Sequence, residues 1–376
     1  MTYAETRIGA CIARSRVFAP GQRSASYRAG SVSEISGAVP RGCARWWQSL
    51  LAALLMLVAA AAQPAEAEAD YQHFLVGQAE DVSRPKPAQP AMVLMGGGRS
   101  VPDAFRWMIG KSGGGNFVVI RAAGSDVYND YLYSLGGLSS VETLVIPSRE
   151  AANHPFVVRR VRQAEALFIA GGNQGDYVRS WKGTALERAI HELARKHVPI
   201  AGFSAGLAIL GEYAFTAENG PLRSATALAN PFDKAVTLSR DFLSMPYLDG
   251  VITDSHFDTR DRLGRLIVFM SRLIGNGRTN AVRGIGVGVG TALLVENGMA
   301  QRVGLGPAYF LDARTPAQVL RPDMPLTHRN IRVQRLDDAS PFNLRRWAAD
   351  DGGVEEYFVS VIEGELVSSR EADAPS

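Results

Sequence analysis

The chain has 376 residues, 46% hydrophobic and 20% charged. That is the composition of an ordinary globular protein, with enough chain to bury one large core or two smaller ones. The formal net charge of +3 suggests an anionic partner only until its distribution is examined, because residues 1–49 alone hold seven arginines, no lysine and two glutamates.

Ser49 to Ala62 is an unbroken run of small and apolar residues, SLLAALLMLVAAAA. It has the length of a signal-peptide core and is too short to span a bilayer comfortably. QPAEAEAD follows, with small residues at alternate positions. A basic segment, a short apolar segment and an A-x-A-like site are the three parts of a secretory signal. Residues 1–67 are therefore expected to be a leader cleaved near residues 65–67, giving a secreted or periplasmic protein without stable membrane insertion. Cleavage removes seven basic and three acidic residues and leaves 33 basic against 34 acidic. Nucleic acid is dropped as a partner on that balance. Cys11 and Cys43 both precede the apolar run, so the mature chain is expected to carry no disulfide and no thiolate metal site.

Residues 68–90 are polar and rich in proline and alanine, and read as a linker. At Ala91 the pattern changes to AMVLMGGGR, a buried strand running into three glycines, Gly96 to Gly98. Strands of the same kind start at Phe117 (FVVIRAAGS), Val141 (VETLVIP), Glu165 (EALFIAGG) and Val198 (VPIAGFSAG). Between the last two, residues 175–197 show apolar positions at helical spacing. Continuous apolar strands alternating with amphipathic helices predict an α/β fold, a parallel sheet covered by helices on both faces, over residues 91–300. Residues 301–376 read as a β-rich C-terminal extension.

In such sheets, sites form at the carboxyl ends of strands. Three strands end in reactive residue types: EALFIAGG runs into Asn173 and Gln174, VPIAGF into Ser204, and GVITDS into His256. In GFSAG, Gly202 and Gly206 permit a sharp strand-to-helix turn that pushes the Ser204 hydroxyl outward. The amide of Ala205, at the start of a helix expected over Ala205 to Leu210, is then available to an oxyanion. A serine at a helix start is also an ordinary cap; the strand–turn–helix context favours a nucleophile. Such a hydroxyl needs a base. His73, His154, His191 and His197 fall in the linker, in a loop, or on or just after the polar helix. Of the two downstream histidines, His256 shares the rim with Ser204, whereas His328 lies in the β-rich tail. An α/β-hydrolase esterase, whose base lies far downstream, would use His328 instead; a non-catalytic binding protein on the same scaffold is the remaining alternative.

FIAGGNQGDY, GFSAGLAILGE and DSHFDTRDRLGRL together resemble cyanophycinases and related S51 serine exopeptidases, which share the flavodoxin-like fold of class I glutamine amidotransferases. The resemblance spans about residues 90 to 300. It implies hydrolysis of aspartyl peptide bonds through an acyl-enzyme. The implied substrate is cyanophycin, cut to β-Asp-Arg dipeptides, or short aspartyl dipeptides. No cofactor is expected, and no metal, since no two histidines stand at ligand spacing. Ser204 matches the nucleophile and His256 the base. The amides of Gly172 and Ala205 match the oxyanion hole. Gln174 matches a substrate-contacting glutamine, and Arg260, Arg262 and Arg265 match the arginines of the family's H-F-x-x-R-x-R motif, since guanidinium groups hold carboxylates in a bidentate way; Asp254 is a further substrate-binding candidate. Each has a plainer reading: Gln174 as a helix cap, Asp254 as a partner of local amides, and Arg262 and Arg265 as ion-pair partners of Asp258 and Asp261. A homodimer is compatible with the resemblance. Glycine and valine in GIGVGVGTALLVE stand where acidic residues are common in relatives. The third triad member is expected between Ser204 and His256, where Glu212, Glu218, Asp233 and Asp241 are available, and Glu218 is favoured.

Overall fold

The structure, a computed structural model, describes residues 70–78, 87–277, 279–338, 340–349 and 352–372. The expected leader at residues 1–67, with Cys11 and Cys43, lies outside the described residues. The strands in chain order are β1 (Gln72–Gly77), β2 (Met92–Met95), β3 (Asn116–Arg121), β4 (Ser140–Val145), β5 (Ala166–Ile169) and β6 (Ile200–Phe203). They continue with β7 (Tyr213–Phe215), β8 (Leu238–Arg240), β9 (Val251–Asp254), β10 (Val282–Val287), β11 (Thr291–Glu296) and β12 (Met299–Gly304). The last six are β13 (Ala308–Ala313), β14 (His328–Leu336), β15 (Phe342–Asn343), β16 (Ala348–Ala349), β17 (Glu355–Ile362) and β18 (Glu365–Ser368). The helices are α1 (Pro102–Ser112), α2 (Asn129–Ser134), α3 (Arg149–Asn153), α4 (Pro155–Arg162), α5 (Gln174–Trp181), α6 (Ala185–Arg195), α7 (Ser224–Ala229), α8 (Leu263–Gly275) and α9 (Ser369–Ala372).

The first sheet runs β1-β4-β3-β5-β6-β2-β11-β12-β15-β16. Its centre, from β4 through β3, β5 and β6 to β2, is all parallel. These are the apolar runs read from the sequence, and both faces of each are covered. Along β2, Val93 and Met95 join a cluster with Phe105 and Met108 of α1, while Met92 and Leu94 join one with Leu186, Ile190 and Leu193 of α6. The spacing of Leu186, Ala189, Ile190 and Leu193 puts all four on the buried face of α6.

The expected linker is in part a strand. β1 pairs antiparallel with β4 along its whole length and closes that edge of the sheet. Its register brings His73 to Glu142 (2.7 Å), a fully buried carboxylate that also accepts two bonds from Arg160 Nε (2.8 and 3.0 Å). A buried carboxylate needs such partners, and one of them comes from a segment whose local composition suggests none.

The second sheet runs β18-β17-β14-β13-β10-β9-β7-β8. Within it β7, β9 and β10 are parallel. The β-rich tail is not an appended module. The expected boundary at residue 301 falls inside β12; β13, β14, β17 and β18 extend the second sheet, and β15 and β16 extend the first. Phe310 stacks on Phe342 at 3.6 Å, and Trp347 meets both edge-on at 5.7 Å. All three belong to the same core as Leu94 and Leu293. Burying each such ring contributes roughly 1.5–3 kcal/mol, so the tail is part of the molecule's core.

The loops that follow β2, β5, β6 and β9 meet at one end of the two sheets. That convergence positions the site.

Candidate active site

Ser204 follows the last residue of β6 and has a φ of 55°. A non-glycine residue in the left-handed region carries strain that the surrounding structure must hold. Three contacts hold it. The Ser204 amide donates to Met95 O at the end of β2 (3.0 Å). A Cβ at Gly202 would lie 2.6 Å from Gly206 O, and one at Gly206 would lie 2.1 Å from Ile169 O. Both glycines of GFSAG are therefore required by close backbone approach. The continuation differs from expectation: a turn over 204–206 leads into a single 3-10 turn, Leu207–Ile209, not an α-helix from Ala205. Stabilisation of an anion there rests on the Ala205 amide itself, which among the described residues has no backbone acceptor, and not on a helix dipole.

His256 comes two residues after β9, also at positive φ (46°), with its amide donating to Gly96 O (2.7 Å). Its Nε2 lies 2.8 Å from Ser204 Oγ. With the ring neutral and its proton on Nδ1, Nε2 accepts the serine hydroxyl. The ring is half-buried, and its pKa is lowered to about 4 by burial first and then by Arg260 and Arg262, against the opposing pull of Asp254 and Asp258. At neutral pH the imidazole is unprotonated and free to act as a base. The pair is bedded on Gly97, at φ 91°, where a Cβ would sit 2.6 Å from His256 Nε2 and 2.9 Å from Ser204 Cβ. Three consecutive glycines after a strand signalled a tight turn; that the second one is the floor of the Ser–His pair depends on a contact between distant segments.

The three arginines separate into different roles. Arg265 is 2% exposed, and its Nε and Nη2 reach the two oxygens of Asp254 at 2.7 and 2.5 Å. It also donates to Leu222 O at 3.1 Å. Arg262 donates through Nη1 to Asp254 Oδ1 (3.1 Å) and Ser255 O (2.7 Å). Asp254 and Arg265 were expected to touch substrate; the structure instead buries them against each other, because a desolvated guanidinium and carboxylate each need the other. Their work is to fix the turn that carries His256. Arg260 is exposed; its amide donates to His256 O (3.2 Å), and among the described residues its guanidinium has no hydrogen-bonded or ion-paired partner. It is close enough to His256 to act on its pKa and so presents a free guanidinium beside the pair.

The loop after β5 carries the other expected groups. Gly172 is exposed, and a Cβ there would lie 2.7 Å from the Tyr177 hydroxyl, which donates to Ala170 O (2.9 Å). Tyr177 stacks on Trp181 at 4.4 Å, both buried, so the loop is anchored by α5. The helix cap is Asn173, whose side chain accepts from Gly175 N at 3.0 Å; Gln174 is not the cap. The Gln174 side chain reaches Phe215 O at 3.4 Å.

The favoured third triad member does not reach the pair. Glu218 is exposed and accepts from Thr216 Oγ1 (2.9 Å). Glu212 is held by Arg240 and the Gly250 amide, Asp233 by the Ala235 amide, and Asp241 is beside Arg240. Among the described residues no carboxylate hydrogen-bonds the His256 ring. The two that act on it through space are Asp254, at the far end of the interval expected to hold the acid, and Asp258, just beyond it. Asp254 is already bonded by Arg262 and Arg265, and Asp258 follows His256 in the chain instead of preceding it. His328 is 1% exposed, its Nδ1 2.8 Å from Ser271 Oγ inside the core, and pairs with a serine other than Ser204.

Residues 126–303 match the family described as Peptidase family S51. A cyanophycinase of Synechococcus elongatus is 25% identical over 228 residues, covering 58% of this chain and 65% of the relative. A cyanophycinase of a Nostoc species is 26% identical over 221 residues, covering 55% of this chain and 66% of the relative. The chain thus spans just under two thirds of the length of these curated relatives. Among solved structures, a peptidase from an acI-B1 Actinobacterium has a TM-score of 0.46 at 16% identity, over 68% of this chain and 97% of that one.

Proposed function

We propose that this chain, which belongs to peptidase family S51, is an exported serine exopeptidase that cleaves aspartyl peptide bonds through an acyl-enzyme on Ser204. The observation that carries this reading is the 2.8 Å approach of Ser204 Oγ to His256 Nε2, on a serine held at φ 55°. In the first step Ser204 Oγ attacks the scissile carbonyl carbon while His256 Nε2 takes its proton. The carbonyl oxygen becomes an oxyanion, met by the amides of Ala205 and Gly172. His256 then returns the proton to the departing amine nitrogen. A water, deprotonated by the same nitrogen, releases the acyl group and regenerates Ser204.

Substrate selection falls to charge. Arg260, with its exposed guanidinium unpartnered beside His256, suits a substrate carboxylate within reach of the scissile bond, and Gln174 at the start of α5 is a second polar candidate. A polymer of aspartate bearing arginine, namely cyanophycin, presents such carboxylates, and the curated relatives are cyanophycinases. Release of soluble β-Asp-Arg from insoluble cyanophycin granules tests the reading, with Ser204→Ala, His256→Ala and His328→Ala beside the wild type. Clearing that is lost in the first two variants and kept in the third supports it. Intact granules with cleavage of small aspartyl dipeptides through the same two residues would keep the chemistry and replace the substrate. Dependence on His328 in place of His256 would overturn the reading.

A further inference from the structure

A serine–histidine pair that accumulates an imidazolium in its transition state gains from a nearby negative charge. Here Asp254 supplies little of it, because Arg265 and Arg262 already hold its oxygens. Asp258 is different. Among the described residues it has no cationic partner. Its Oδ1 accepts from Thr259 N (2.7 Å) and from Val289 N (3.0 Å). Val289 belongs to the β10–β11 turn, which lies across the floor of the site. Gly290 N donates to Gly97 O (3.0 Å), Gly96 N donates to Thr291 O (2.9 Å), and a Cβ at Gly98 would lie 2.6 Å from Val289 Cγ1. Would-be Cβ atoms at Gly288 and Gly306 fall 3.0 and 3.1 Å from Asp258 Oδ2, so the carboxylate is seated among close-packed backbone.

We propose that Asp258 is the positioning residue of the Ser204–His256 pair, tying the β10–β11 turn to the His256 turn and providing the counter-charge for the His256 ring. The inference rests on the assignment of Ser204 and His256 made above. The charged and titratable groups that act on the ring are Asp254, Asp258, Arg260 and Arg262, with the Ser204 hydroxyl on Nε2. The packed segments 96–98 and 288–290 carry only glycine and valine. Asp258 is therefore the one carboxylate of this set, among the described residues, whose charge is not neutralised by a bonded guanidinium. Because it is exposed, water screens it, and its effect on rate is about three- to tenfold and not the thousands that a directly bonded carboxylate contributes.

Asp258→Asn keeps an oxygen to accept from Val289 N and Thr259 N and removes the charge; Asp258→Ala removes both. The test measures the rate at which a fluorophosphonate modifies Ser204 against pH, together with amide exchange at Val289. The expected result for Asp258→Asn is retained exchange protection, modification about three- to tenfold slower at neutral pH, and an acid-limb midpoint moved to lower pH. Asp258→Ala is expected to lose protection at Val289 as well. Slower modification with an unmoved midpoint would reduce Asp258 to a loop tether and overturn the counter-charge; wild-type rate and midpoint in Asp258→Asn would overturn the whole proposal. An unmodified Ser204 in the wild type would instead sink the assignment of the nucleophile. In that case NMR titration of the His256 ring in wild type and Asp258→Asn still decides, since a common midpoint rejects the counter-charge.

Discussion

Gly97 and His256 are packed so closely that a single added carbon on Gly97 would come within 2.6 Å of His256 Nε2. The nitrogen it would displace is the one facing Ser204 Oγ. Gly97→Ala also places alanine at φ 91°, where L side chains are strained. Moving a reacting nitrogen by about 1 Å can cost about a hundredfold in rate. Gly97→Ala is therefore expected to lower kcat/KM by about a hundredfold or more while the fold persists, which activity assays alongside circular dichroism would check. Activity within a few-fold of wild type would mean that the Ser–His contact is not held by this glycine.

The pH dependence follows from the same ring. His256 works as a base only when neutral, and its pKa is lowered to about 4. The acid limb of kcat/KM is expected near pH 4, with a flat plateau through neutrality. Arg260 is the first of the two charges that lower this pKa after burial. Removing it in Arg260→Ala is expected to move the limb to higher pH and raise KM for acidic peptides. A limb near pH 6.5, the ordinary histidine value, would show a more hydrated ring than this geometry describes.

Arg265 and Arg260 are expected to fail in opposite ways. Arg265→Ala removes the bidentate partner of the buried Asp254 carboxylate and leaves it the single Arg262 contact; breaking such a buried pair costs about 3–5 kcal/mol. A substantially lower melting temperature is expected. Arg260→Ala should leave melting unchanged, since its side chain is exposed and unpartnered among the described residues. Thermal melts of the two variants side by side would separate a fold residue from a substrate residue; equal melting temperatures would contradict the burial assigned to Arg265.

His328 is expected to matter for stability alone. It is 1% exposed and bonded to Ser271, so His328→Ala removes a core side chain and leaves Ser271 without that partner. A loss of about 1–3 kcal/mol is typical for such changes. Denaturant unfolding measures it, with kcat/KM per folded molecule holding close to wild type. A large loss of kcat with unchanged unfolding would return His328 to the chemistry.

The sequence by itself determined what depends on short stretches of chain. Apolar runs such as MVLM and ALFI specified fully buried strands, because a strand covered on both faces has no polar side to show. The spacing in GFSAG specified a strained turn with an outward serine, and VITDSH a histidine just past a strand end. Tertiary structure decided everything that depends on which segments meet. Ser204 and His256 are 52 positions apart, and the segments of Gly97 and Val289, distant in the chain, pack against each other beneath them. The role of each arginine in DSHFDTRDRLGRL was equally invisible locally: residue type and spacing are compatible with substrate contact for all three, and only burial separates Arg265, sealed against Asp254, from Arg260, left in water. The strand at Gln72–Gly77 was hidden for the same reason. An edge strand draws its stability from hydrogen bonds to a neighbour, here β4, and its own sequence says little about a partner that lies more than sixty residues on.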